Sequence, residues 1–105
     1  MLPYKNRLLK KKDFEKVFKK GKKIQQDSFC LRTIDNDLDY TRFGLIISKK
    51  VCPKAVNRNR IKRKLRHLIK FLLPDIKKGK DVVLIVLKEK EEMSLNQILQ
   101  RAKLL

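Results

Sequence analysis

From Thr41 to Pro74 the chain carries no Asp or Glu, yet it carries Arg42, Lys49, Lys50, Lys54, Arg58, Arg60, Lys62, Arg63, Lys64, Arg66 and Lys70. The chemistry open to such a stretch is counter-charge. Wound as a helix at about 100° per residue, Ile61, Leu65, Leu68 and Leu72 form one apolar stripe. Asn59, Lys62, Arg63, Arg66 and Lys70 gather on the opposite side, with Arg58 and Arg60 on the flanks. A merely solvated helix face mixes its signs through i,i+4 Glu–Lys pairs. Here Arg58, Lys62, Arg66 and Lys70 repeat one sign at that spacing, which destabilises the free helix. A phosphate backbone would remove the repulsion and release counterions, so the pattern points to nucleic acid. Cations alone do not separate RNA from DNA. A DNA-reading helix, however, needs a polar base-reading face rather than one made almost wholly of cations.

A second constellation is Phe14 and Phe18, one helical turn apart. Two such rings can stack on neighbouring unpaired bases, at about 1–3 kcal/mol per base and without regard to sequence. On its own, an aromatic stripe of this kind more often faces a core. No residue set suggests hydrolysis by the chain itself. Cys30 and Cys52 form no C-x-x-C pair, and the single His67 cannot complete a zinc set with them; they read as two reduced thiols. Asp35, Asp37 and Asp39 open like a calcium loop, but Tyr40 and Ile46 stand where an EF-hand needs Gly and Glu, so the stretch is a polar turn. His67 lacks a placed acid and is a poor general base. Glu89, Glu91 and Glu92 lie among lysines and read as solvated. With no clustered carboxylates and no nucleophile–base pair, neither catalytic residues nor a bound metal or cofactor are expected.

The positioning frame must be small. The 105 residues suit one domain spanning 1–105 and bury roughly 65% of the unfolded surface, enough for a core but not for a deep substrate pocket as well. Lys and Arg number 29 against 11 Asp and Glu, a net charge of +18, and such a chain calls for a polyanionic partner. No apolar run spans a bilayer; Val82–Leu87, the longest, has strand length. The N-terminus lacks a signal-peptide apolar region, so a cytoplasmic protein without a membrane partner is expected.

Residues 12–20 read as a short helix with Phe14, Val17 and Phe18 on one face, stopped by Gly21. A short edge strand at 22–24 and a strand at 28–34 follow. The turn at 35–39 leads to a strand at 41–48, and these last two strands are expected to pair as an antiparallel hairpin. A loop at 49–55 carrying Pro53 precedes a long helix over 56–73, ended by Pro74. Residues 82–87 read as a buried central strand. Ser94 with Gln97 forms a capping box, and Met93 with Ile98 a hydrophobic staple, for a last helix that packs Leu95, Ile98, Leu99 and Ala102 on the sheet. The order α-β-β-β-α-β-α predicts an α+β fold, a two-layer α/β sandwich whose mixed sheet has one parallel pair formed by the strand–helix–strand unit.

Three segments, in order, resemble the ribonuclease P protein family. Arg7-Leu8 and Asp13-Phe14-Glu15-Lys16-Val17-Phe18-Lys19-Lys20-Gly21 are similar to its R-L … D-F-x-x-V-F-K-x-G opening. Arg42-Phe43-Gly44-Leu45-Ile46-Ile47-Ser48-Lys49-Lys50 is similar to its strand ending in S-K-K. Lys54-Ala55-Val56-Asn57-Arg58-Asn59-Arg60-Ile61-Lys62-Arg63-Lys64-Leu65-Arg66 resembles its basic RNR helix. The resemblance implies a protein that assists a large catalytic RNA in removing the 5′ leader of precursor tRNA. It implies a 1:1 heterodimer with that RNA, Mg²⁺ required by the RNA-containing holoenzyme, precursor tRNA as a further partner and no DNA partner. It assigns Lys49, Lys50, Lys54, Arg58, Asn59, Arg60, Lys62, Arg63, Arg66 and Lys70 to the catalytic RNA. Phe14, Phe18, Cys30 and Arg32 fall to a leader cleft between the first helix and the sheet. At Arg32 some members carry a cleft aromatic; its guanidinium could stack on a base or bind a phosphate instead. Val51-Cys52-Pro53-Lys54 stands where many members have a glycine. The resemblance also implies a left-handed crossover between the parallel strands, against the usual right-handed rule. The alternative of a different class is a ribosomal protein, which would have no use for exposed rings at Phe14 and Phe18.

Overall fold

A computed structural model describes residues 2–26, 28–88 and 95–105. The elements run α1 (Lys11–Lys20), β1 (Lys22–Gln26), β2 (Phe29–Asp35), β3 (Arg42–Ile47), α2 (Ala55–Leu72), β4 (Lys80–Val86) and α3 (Asn96–Arg101), with short 3-10 turns at Tyr4–Asn6 and Leu73–Asp75. Pro74 converts the end of α2 into the second of these turns. The capping residues expected at Met93 and Ser94 lie outside the described residues. Leu95, Ile98 and Leu99 are buried, as the last helix required.

The four strands form one sheet in the order β1-β2-β4-β3. β3 and β4 are parallel, from Arg42 opposite Asp81 to Ile47 opposite Val86. The expected hairpin between the strands at 28–34 and 41–48 is not formed. β4 lies between them, antiparallel to β2 from Phe29–Val86 to Asp35–Lys80. The reason is apolarity on both faces: Val82, Val83, Leu84 and Val86 are all buried, and only a central strand buries successive residues. The Asn36–Tyr40 connection therefore spans about two strand spacings, roughly 10 Å, across the start of β4. Asn36 holds it there: its Nδ2 donates to Asp81 Oδ1 at 2.8 Å, its backbone N–H to the Gly79 carbonyl at 2.8 Å, and its Oδ1 accepts from the Leu38 N–H at 2.9 Å. The hairpin that does form is β1–β2, in register from Lys22–Thr33 to Gln26–Phe29.

The main core lies between one sheet face and α2 and α3. Phe29, Leu31, Phe43, Ile47, Val82, Leu84 and Val86 meet Ile61, Leu65, Ile69, Ile98 and Leu99. In α2 the buried line is Ile61–Leu65–Ile69, with Leu68 and Leu72 partly covered beside it, so the stripe is centred one position away from the one read in the sequence. On the other face α1 packs Val17 and Phe14 against Leu8, Val83, Ile34, Ile46 and Ile85. Residues 2–8 run beside β3: the Leu8 N–H donates to the Phe43 carbonyl at 2.8 Å and Asn6 Nδ2 to the Thr41 carbonyl at 2.8 Å.

Candidate nucleic-acid interface

The two constellations stand on opposite faces of the sheet. On α2, Asn59, Arg60, Arg63 and Lys70 are exposed, as are Lys49, Lys50 and Lys54 ahead of it, while Lys62 and Arg66 are half-buried at the margin. No acidic residue occupies the first turn of α2. Arg58 is committed to the loop: its Nη1 donates to the Cys52 carbonyl at 2.9 Å and the Pro53 carbonyl at 2.8 Å. It thereby fixes the Cys52-Pro53 entry to the helix. Arg66 is lowered from its usual proton affinity, first by burial and then by the charge of Arg7. Arg7 was quoted in the sequence motif without a site role. Its Nε donates to the Leu2 carbonyl at 3.1 Å, and its segment is bridged to Phe43, which brings a cation from the N-terminus to the basic helix. Phe71, 80% exposed on α2, has no role assigned by the sequence; its phase, away from the Ile61–Leu65–Ile69 line, is the sign that it faces outward.

The α1 face holds the four residues expected in a leader cleft. Val17 is fully buried and anchors the helix; Phe14 is half-buried, and Phe18 is 37% exposed. Gly44 exists for Phe14: a Cβ there would lie 2.5 Å from the ring. Gly21 serves a similar need, because a Cβ would collide with the Val17 carbonyl and come within 3.0 Å of the Thr33 carbonyl. Its φ of −76° shows that space rather than a left-handed turn selects glycine. Arg32 lies 5.5 Å from the centroid of the Phe18 ring, and its Nη1 donates to the Phe18 carbonyl at 3.2 Å, closing the last turn of α1. Cys30 is buried beneath this surface and carries a free thiol, as does Cys52. Beyond α1, half-buried Ile46 and Ile85 continue the same face.

Arg42, the first cation of the acid-free stretch, is consumed inside the protein. Its Nε and Nη2 meet the buried Asp81 carboxylate at 2.8 and 2.6 Å, and its Nη1 reaches Asp13 of α1 at 3.4 Å. The Asp81 partner holds the guanidinium above its usual proton affinity. Among the described residues no three His, Cys, Asp or Glu gather where they could hold a metal, and no helix is long and apolar enough to cross a membrane.

An α/β sheet carrying an acid-free cationic helix on one face and partly open aromatic rings on the other defines an RNA-binding protein. The ribonuclease P family model matches residues 2–105. The ribonuclease P protein component of a Pseudanabaena species is 42% identical over 82% of this chain and 75% of its own length. That of a Picosynechococcus species is 36% identical over 97% and 88%. Among solved structures, the Staphylococcus aureus RNase P protein superposes with a TM-score of 0.84 at 32% identity, covering 94% of this chain and 96% of that one. The Thermotoga maritima protein gives 0.73 at 30%, covering 92% and 91%. The chain belongs to the ribonuclease P protein family, and this supports a ribonuclease P subunit rather than a ribosomal protein.

Proposed function

We propose that this chain is the cytoplasmic protein subunit of ribonuclease P, bound one to one to the catalytic RNA through α2 and to the 5′ leader of precursor tRNA through the Phe14–Phe18 face. The observation that carries the reading is the joining, in one family member, of the exposed Arg60, Arg63 and Lys70 on α2 with the half-open Phe18 ring across the sheet. Phosphates of the catalytic RNA neutralise α2 and the Lys49–Lys54 loop. Phe18 takes an unpaired leader base, with Arg32 positioned to meet an adjoining phosphate. Hydrolysis is assigned to the RNA and to Mg²⁺ bound there. Phosphodiester cleavage needs an activated water and a stabilised leaving oxygen, and two carboxylates of the chain, Asp13 and Asp81, are occupied by Arg42.

The test is a magnesium titration of precursor-tRNA cleavage by the catalytic RNA with and without this protein. The protein supplies positive charge that magnesium would otherwise supply, so the midpoint should fall when it is present. An identical midpoint would overturn the assignment, and cleavage by rigorously RNA-free protein would overturn the placement of the chemistry.

A further inference from the structure

The N-terminal segment carries a second aromatic and cationic cluster that neither α2 nor the α1 face uses. Leu2 and Leu8 are buried at its two ends, and Asn6 is buried and bonded to the Thr41 carbonyl. The intervening residues are thus held against the β3 edge, not trailing in solvent. On that fixed segment Tyr4 is 77% exposed, and Leu9 just beyond it 53%. Lys5 Nζ stands 5.3 Å from the centroid of the Tyr40 ring. Between them is an open groove of about 180 Å³ lined by Tyr4, Lys5, Arg7, Leu9, Lys10 and Tyr40. The acid that also borders it, Asp13, is met by Arg42 at 3.4 Å, so the groove presents cations and rings. Its volume is below the roughly 300–1,000 Å³ of enclosed small-molecule sites, and it is open on one side. That geometry suits a single flat group still attached to a longer chain.

We propose that Tyr4, Lys5 and Tyr40 hold one unpaired nucleobase of an RNA strand, with Arg7 and Lys10 on the flanking phosphates. Base-on-ring stacking with cations tracking the backbone is how sequence-tolerant sites take single strands. The inference rests on the RNA-binding reading above and adds a contact distinct from the Phe14–Phe18 face. Arg7 lines this groove and its charge is felt at Arg66 on α2, so the groove lies towards the margin of the basic helix.

The chain has two tyrosines and no tryptophan, and both tyrosines line this groove. Intrinsic tyrosine emission therefore reports this site alone. The full-length protein is titrated with a short end-labelled single-stranded oligoribonucleotide, following label anisotropy and tyrosine emission together. A strand of the same length made of abasic ribose phosphates is titrated in parallel. Emission should be quenched over the concentration range in which anisotropy rises, and the abasic strand should bind without quenching. Tyr4→Leu and Tyr40→Leu should each remove part of the quenching and weaken binding roughly 5- to 30-fold, the lower part of the range for one stacked base. Tyr4 is mostly in solvent, so its variant should keep the wild-type circular dichroism. Rising anisotropy with constant tyrosine emission, or equal quenching by the abasic strand, would overturn the nucleobase site while leaving RNA binding intact. If neither signal changes, the RNA-binding reading fails and takes this site with it.

Discussion

Phe18 and Phe14 should separate on mutation, one affecting binding and the other folding. Phe18 is 37% exposed, and one side of its ring is approached by the Arg32 guanidinium at 5.5 Å. It can therefore accept one base, on one face. Full stacking contributes about 1–3 kcal/mol per base, and a single partly open face places Phe18→Ala at about 1–2 kcal/mol, or roughly 5- to 30-fold in affinity. Its effect on folding should be about 1–2 kcal/mol, because more than a third of the residue is already in solvent and only the covered part of the ring is lost. Phe14 is half-buried and fills the space that Gly44 leaves. Phe14→Ala removes core contacts and should cost about 2–3 kcal/mol of stability, below the roughly 3–5 kcal/mol of a fully buried Phe. The assay pairs urea unfolding of each variant with binding of precursor and mature tRNA to the reconstituted holoenzyme. Phe18→Ala should weaken precursor and leave mature tRNA, which has no leader, unchanged. Equal losses for both RNAs, or a Phe18→Ala protein that binds precursor normally, would refute the single-face stacking argument.

Replacing Arg60, Arg63 and Lys70 with Gln should reduce the slope of log K against log[salt] for the catalytic RNA by roughly 2–3 units, at about 0.7–0.9 per phosphate contact; an unchanged slope in a folded variant would remove α2 from the interface. Arg42→Met should destabilise the protein by about 3 kcal/mol, because it leaves the buried Asp81 carboxylate without its cation, at the low end of that class since Asn36 also donates to it. Arg42→Met with Asp81→Asn should recover part of the loss in a urea titration, and no recovery would mean that packing, not charge, is what Arg42 supplies. Gly44→Ala should displace the Phe14 ring and cost about 1–3 kcal/mol as an overpacked site; wild-type stability would show that the ring has room to move. Asp35, exposed beside Lys80, is held below its ordinary value near 3.8 by the hydrogen bond and charge of that lysine. A depressed carboxylate contributes stability above its unfolded value and loses it as pH falls through the folded one, so Asp35→Asn should flatten the acid limb of a pH–stability profile below about 3.8.

The first two helices were legible because each carries its own punctuation. Phe14, Val17 and Phe18 before Gly21 set phase and end of α1, and Ile61 and Leu65 before Pro74 set the end of α2 and its phase to within one position, Ile69 rather than Leu68 being buried. The strands were legible one by one, but their order was not. Pairing 28–34 with 41–48 follows from their nearness in sequence, and nothing local reveals that Asn36 bridges a gap into which a distant strand inserts. The continuous apolar run at 82–87 did signal a central strand. The further step, that a central strand must separate two neighbours, follows from burial on both faces and outweighs sequence proximity. On the site, spacing located the cationic arc but could not tell which cations the fold would occupy.

That last distinction bears on how the charge acts. A net +18 suggests a uniform surplus, yet the described contacts divide the cations by task. Arg42 neutralises two carboxylates and ties β3 to β4 and α1. Arg58 and Arg32 close backbone ends at either side of the sheet. Each of these binds inward through a guanidinium, whose several fixed donors suit carbonyl and carboxylate partners. The exposed set on and before α2, by contrast, includes Lys49, Lys50, Lys54 and Lys70 with Arg60 and Arg63. Lysine is a compact point charge on a flexible stem, matched to a phosphate chain whose exact path varies. Arg42 and Arg58 thus help to position the outward cations, and removing either should change stability first and the salt slope of RNA binding only through misfolding. Arg66 stands between the two groups, half-buried on α2, its proton affinity lowered by burial and by the charge of Arg7, while a guanidinium still stays charged in water. A guanidinium held near another cation at the edge of a core is relieved most by an anion from outside, which makes this margin the place where folding and RNA binding should be most strongly coupled.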